Sequence, residues 1–337
     1  MTGAFPLSDE TVKALAPCNL PFLRHDPFVR SASSASILAL PPVVQQVVRR
    51  LYDTLLDIFA RFDRLRQVNH DELRQVLHDA DWHHLLHELR SISLSHHDPV
   101  LGQVIHDIRG GSLQALALQL QLLEADQSLP VETERIYLLT RDHLKIMRNC
   151  LPDLDPERTA RDVELRAHGV DLLLEKWQQA DYRLPDGSAS IVVDARYDGV
   201  VADRCVEFSA LDRVVYNLVN NATRHSADQR VMIGIFPLFE CESPSLRIVV
   251  ANRIDPLQRS ALEQRFGQHW SALFRGGFSF SSDGSRGHGF GLAICAELVA
   301  NAYGVANGSA AIAGGYVGAR PHGDLFVAWF HWPIAAP

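Results

Sequence analysis

The chemistry in this chain starts from a histidine beside an aspartate, His106-Asp107, in the stretch LGQVIHDIRGGSLQALALQLQLLE at residues 101–124. A neutral imidazole is a competent nucleophile toward phosphorus, and an adjacent carboxylate can take its second ring proton and sharpen it. Asp107 is the expected orienting base, and Arg109 either meets phosphate charge near the same turn or is simply solvated. Gly110 and Gly111 follow at once and should each cost a helix about 1 kcal/mol relative to alanine. That weak point reads either as a hinge just beyond the nucleophile or as a place where two helices pack too closely for a side chain.

A second group lies in LDRVVYNLVNNATRHS, residues 211–226. Asn217 and Asn221 are four apart, so they share one face of a helix and interrupt an otherwise apolar stripe. An asparagine oxygen is a suitable hard ligand for Mg2+, and Arg224 or His225 could lie against phosphates. The third group is RGGFSFSSDGSRGHGFGLAICAELVANAYG, residues 275–304, with glycines at 276, 277, 284, 287, 289 and 291 ahead of a helix. A glycine-rich strip running into a helix N-terminus offers backbone N–H groups and a favourable dipole to a polyphosphate.

Those groups need elements to hold them. Leu101, Ile105, Ile108, Leu116, Leu120 and Leu123 line one side of a helix, so a histidine on its flank can be displayed while a bundle core holds the backbone. Upstream, Val44, Val47, Val48, Leu51, Leu55, Ile58 and Phe59 form another stripe, which must pack on a further helix or on a second subunit. Near residue 180 the composition turns β-rich, with SASIVVDAR, RVMIGIFPL, SLRIVVAN and DLFVAWFHW as strands and helices over about 209–225 and 288–303. The fold class is α+β, with an N-terminal helical region and hairpin followed by an α/β sandwich covered by helices on one face. Residues 1–40, with four prolines and a SASSAS run, read as a loosely ordered arm. Residues 41–97 read as a helical input or stalk region, 98–178 as the histidine-bearing helices and 179–337 as the sandwich.

With 337 residues, the chain fits two domains plus an extension. A net charge of −8 and scattered basic residues disfavour a nucleic-acid partner. Five cysteines with no CxxC pair read as isolated reduced thiols. No stretch is long and apolar enough for a membrane span, so a cytoplasmic protein is expected. His83 and His87, one turn apart, with His96 and His97 beyond, suit either a metal site or solvated histidines on an amphipathic helix.

Taken together, the three groups resemble the sensor histidine kinases, whose ATP-binding domain is shared with the gyrase, Hsp90 and MutL ATPases. His106-Asp107-Ile108-Arg109 is similar to the H-box, Asn217-Leu218-Val219-Asn220-Asn221-Ala222 to the N-box and Gly287-His288-Gly289-Phe290-Gly291-Leu292 to the G2 box, in the family's order over about residues 98–337. The resemblance implies ATP and Mg2+ as cofactors, with phosphoryl transfer to His106 and onward to an aspartate of a response-regulator receiver domain. By position, Asn221 would coordinate Mg2+, Asn217 would support it, and Gly287, Gly289 and Gly291 would cradle phosphates. A hairpin of about 98–127 and 131–150 would pair with its copy as a four-helix bundle in a homodimer. Two positions depart from the family. Asn252 stands where the family has an adenine-binding Asp, with Ile254 in place of its glycine, so the adenine contact is neutral and weaker. Gly110 replaces the Thr or Asn that serves dephosphorylation in many relatives, so little phosphatase activity is expected. Two readings stay open: an autophosphorylating kinase, or a non-catalytic dimeric phosphotransfer or scaffold relative.

Overall fold

The computed structural model describes residues 5–29, 34–92, 98–125, 133–184, 187–239, 243–275 and 291–334. The helical elements come first: α1 (Asp9–Lys13), α2 (Pro42–Ala60), α3 (His70–Asp79), α4 (Trp82–Ser91), α5 (Pro99–Ile108), α6 (Gly111–Ala125), α7 (Thr133–Cys150) and α8 (Pro156–Asp162). After them come β1 (Leu165–Gly169), α9 (Asp171–Trp177), β2 (Asp181–Leu184), β3 (Gly187–Ala195), β4 (Val200–Arg204) and α10 (Cys205–His225). The chain ends with β5 (Arg230–Leu238), β6 (Ser245–Arg253), α11 (Pro256–Phe266), α12 (Gly291–Tyr303), α13 (Gly308–Ala313), β7 (Val317–His322) and β8 (Leu325–Pro333). Two compact units result, one of residues 33–162 and one that combines residues 1–32 with 163–337.

In the helical unit, α7 packs against α2, α5 and α6, while α2 also packs on α3 and α4. The α2 stripe is therefore buried on helices of the same chain: Val44, Val47, Val48, Leu51, Leu55 and Ile58 are all in the core, and Phe59 stacks on Tyr137. The expected continuous helix from residue 98 is broken. Asp98 caps α5 by accepting from the Val100 and Leu101 amides, α5 stops at Ile108, and α6 restarts at Gly111. A β-carbon on Gly110 would lie 2.9 Å from the Asp107 carbonyl oxygen, which an alanine could not occupy without a shift. At the far end of α7, Arg148 is paired with Asp162 and donates to the Tyr52 hydroxyl, tying α7 to α8 and α2.

The second unit is a mixed six-stranded sheet in the order β2-β3-β5-β6-β8-β7, with β3 and β5 parallel and the other neighbours antiparallel, plus a separate β1-β4 pair. Helices α9, α10 and α12 cover one face. Along β5, Val231, Ile233 and Ile235 are buried on one side and Met232 and Phe236 on the other, the period-two alternation of a strand enclosed on both faces.

What encloses the second face corrects the expectation of a loosely ordered arm. Phe5, Leu7, Val12 and Leu15 form a cluster with Met232, Phe236, Val249, Ala251, Val327 and Trp329. Gly234 on β5 lies under it; a β-carbon there would approach the Phe5 ring to 3.0 Å. The polar anchor is Arg247 on β6, which is fully buried and donates to the carbonyls of Val12, Lys13, Ala16 and Pro17. Its Nε also donates to His331 Nε2 at 2.9 Å, across the β6–β8 pair. Further along, Leu23 N–H donates to the Tyr303 carbonyl, the Tyr316 hydroxyl to the Pro21 carbonyl and Arg24 to Glu207. The arm thus reaches the C-terminal end of α12 and the N-terminal end of α10. The boundary expected at 178/179 also moves, to 162/163, because β1 and α9 pack on α10 and β3. No helix of the described residues is long and apolar enough to cross a membrane.

Candidate functional site

Helix α10 crosses the sheet with nearly all of its residues buried, and Asn217 and Asn221 are the half-buried amides on the face turned to α12. The first residue of α12 lies over both: a β-carbon on Gly291 would be 3.7 Å from Asn221 Nδ2 and 4.0 Å from Asn217 Cβ and Cγ. Residues about 74 apart in sequence are in this way brought to one place, at a helix N-terminus whose first amides have no intrahelical acceptor. Gly287 and Gly289 lie outside the described residues. Below Asn217, its buried Nδ2 has no oxygen or nitrogen acceptor among the described residues and lies against Cys295, whose thiol pKa burial pushes up to about 12. Cys295 also approaches the Val214 carbonyl, so α12 is seated one turn deeper on α10.

This donor set fits a Mg-nucleotide. Amide oxygens are hard ligands for Mg2+, and Asn217 and Asn221 hold theirs beside the start of α12, whose first amides can meet phosphate. Arg224 and His225 stand exposed at the C-terminal end of α10. Desolvation of the ring nitrogens by the surrounding protein, and then the neighbouring Arg224 charge, hold the His225 ring pKa below the ordinary value.

Asn252, at the end of β6, is 3% exposed, and its Nδ2 donates to the carbonyls of His225 (3.3 Å) and Arg253 (3.1 Å). Both neighbours are acceptors, which fixes the amide orientation. The side chain fastens the end of α10 to the sheet. Beyond it, where the family's glycine would stand, Ile254 is buried and the chain starts α11 at once. Asp255 caps that helix in a reciprocal box with Gln258, and Pro256 occupies the first helical position. Sequence reasoning missed this start, although Asp-Pro-x-Gln is a legible capping signal.

In the helical unit, the His106 side chain is 21% exposed, at the last turn of α5. The expected orienting bond to Asp107 does not form: Nδ1 and Oδ1 are 3.7 Å apart, beyond hydrogen-bond reach. Consecutive helix residues point about 100° apart, so Asp107 turns inward, where it is buried with Cys150 Sγ 3.9 Å away. The Arg109 guanidinium donates to the Ile92 carbonyl, and its pKa is lowered by burial. Among the described residues no group of three or more His, Cys, Asp and Glu side chains is placed to hold a metal ion. His83 pairs with Glu124 and His84 with Glu88, while His96 and His97 lie outside the described residues. The cysteines at 18, 150, 205 and 295 are free thiols.

Residues 207–333 match the family model described as histidine kinase-, DNA gyrase B-, and HSP90-like ATPase. Among solved structures, full-length ShkA in complex with AMPPNP is 20% identical with a TM-score of 0.33, over 70% of this chain and 46% of that one. This chain therefore spans less than half the length of that protein. The Acinetobacter baumannii histidine kinase AdeS is 14% identical with a TM-score of 0.29, over 68% of this chain and 98% of that one. No curated protein sequence matches the chain. Over residues 207–333, which include most of α10 and all of α12 with Asn217, Asn221 and Gly291, the chain is thus similar to the histidine kinase-, DNA gyrase B-, and HSP90-like ATPases.

Proposed function

We propose that this protein is a cytoplasmic histidine kinase that phosphorylates His106 from Mg-ATP and passes the phosphoryl group to an aspartate of a response-regulator receiver domain, acting as a homodimer. The observation that carries the reading is the seating of Gly291 over Asn217 and Asn221, which joins the family's two nucleotide-binding motifs at one helix end. Asn221 would hold Mg2+, Asn217 would back it, and the amides at the start of α12, with Gly287 and Gly289, would hold phosphates. Bound magnesium supplies neutralisation of the charge on the transferring group. This chain's residues then contribute position, and His106, as the neutral imidazole, contributes the attacking nitrogen; neither Asp107 nor Arg109 is needed as an acid or base. Gly110 offers no side chain to position a water for hydrolysing the regulator's aspartyl phosphate, so the protein is proposed to be a poor phosphatase.

The test is incubation of the full chain with labelled ATP and magnesium. Acid-labile label is expected on the wild type and neither on His106→Gln nor on Asn221→Ala. Label that survives His106→Gln would reject His106 as the acceptor.

One observation favours the non-catalytic alternative. Both hydrogens of the Asn252 amide serve backbone carbonyls, so the position that holds adenine in the family is partly spent on the fold. Calorimetric titration with ATP and magnesium separates the readings, since a scaffold protein would give no heat at millimolar nucleotide.

A further inference from the structure

A buried histidine in the helical unit has no part in the proposed chemistry, yet it sits against the interruption just beyond His106. His143 on α7 is 0% exposed, and its Nδ1 lies 2.9 Å from Ser112 Oγ in the first turn of α6, itself buried. The same ring is within reach of the Ile108 carbonyl, the last residue of α5, and burial lowers its pKa to about 4. The ring is therefore neutral near pH 7. Its one N–H is best placed on Nδ1, facing Ser112 and Ile108, because Nε2 has no partner among the described residues and is tolerable only as a bare acceptor. One side chain of α7 thus touches both sides of the two-residue gap between α5 and α6. Farther along α7, Cys150 lies against Asp107. Residues 107, 108 and 112 are buried toward α7, and His106, next to them, is left partly exposed.

Without this contact the gap would be poorly determined. Gly110 has no side chain to limit it, and the break removes the intrahelical bonds that would otherwise set the direction of α5 relative to α6. We infer that His143 and Ser112 are positioning residues for His106: their buried hydrogen bond pins the α5–α6 gap and so sets the direction in which the phosphoacceptor imidazole faces. The inference rests on the kinase reading only for its consequence in catalysis; the positioning itself does not.

The experiment uses the full chain as wild type, Ser112→Ala, Ser112→Thr and His143→Phe, with two readouts. The first, free of nucleotide, is the rate at which diethyl pyrocarbonate modifies His106, read by peptide mass spectrometry against His83, whose side chain is 63% exposed. Losing one hydrogen bond permits a population shift of about two- to tenfold. The His106/His83 ratio is expected to rise by that amount in Ser112→Ala and His143→Phe and to return toward wild type in Ser112→Thr, which keeps the hydroxyl. The second readout is phosphorylation by Mg-ATP, where kcat should fall by a similar factor at unchanged KM for ATP, because the nucleotide site lies in the other unit. Ser112→Ala removes a single oxygen atom and is the decisive variant. An unchanged ratio in that variant overturns the inference, and so does a rise shared by the other histidines, which would mean general loosening. If the ratio shifts while the wild type takes no label, the positioning stands and the kinase reading fails.

Discussion

Replacing Arg247 by methionine keeps most of the aliphatic volume and removes the guanidinium. In the wild type that group is fully buried and donates to four carbonyls of the N-terminal arm and to His331. Two of those carbonyls, Val12 and Lys13, belong to the end of α1, where a cation also suits the helix dipole. A buried acceptor left without a donor costs about 1–3 kcal/mol, but the arm's outer edge can admit water, so not all of the orphaned carbonyls pay in full. The expected net loss is about 3–5 kcal/mol, the range seen when one partner of a buried charged network is removed. For a unit of about two hundred residues this lowers the melting temperature by about 6–20 °C. Differential scanning calorimetry of the full chain reads it directly, and limited proteolysis should cut within residues 5–29 first. A melting shift under about 2 °C, with the arm still protected, would refute the claim that this guanidinium holds the arm to the sheet.

Asn252→Asp, which restores the family's acid, should not restore adenine binding. A carboxylate would face the carbonyls of His225 and Arg253 in place of two N–H groups, at a cost of about 2–4 kcal/mol, and tighter ATP binding at an unchanged melting temperature would contradict this. The buried histidines set a pH dependence. His331 is pushed down to about 3 and His143 to about 4, while unfolded histidine titrates near 6.5, so below that value the unfolded chain binds more protons. Their contribution is complete above about pH 6.5 and is lost as pH falls toward the folded values, about 2 kcal/mol for each at pH 5. His331→Gln should therefore reduce the difference in melting temperature between pH 7.5 and pH 5, and an unchanged difference would exclude His331 as a source.

How far the sequence reveals this fold depends on what each stretch packs against. The strands at β3, β5, β6 and β8 and the helix α10 were legible because burial enforces their periods. The pairing of Asn217 and Asn221 was legible because two amides on an apolar face need an external partner. The arm was not. Its short helix spans only Asp9–Lys13, and its order comes from Arg247, 230 or so residues away in sequence. Yet a signal was present: RVMIGIFPL and LRIVVA are apolar at both odd and even positions, which a sheet covered on one face alone would not require. Something had to cover the second face, and the Phe5, Leu7, Val12, Leu15 spacing could have been offered for it. The inward turn of Asp107 was equally open to argument, since neighbours on a helix do not share a face.

The arm also changes what connects the two units. With residues 179–337 as a separate domain, one linker would join it to the helices. Instead the chain leaves the sheet-containing unit after residue 32 and re-enters it at residue 163, so the helical unit is an insertion with two covalent crossings. Both flanks are secured within the sheet-containing unit: before the insertion, Leu23 and Arg24 are fastened to Tyr303 and Glu207, and after it, Arg204 of β4 donates to the Val163 carbonyl. The first of these reaches the same helices, α10 and α12, whose other ends bring Asn221 and Gly291 together.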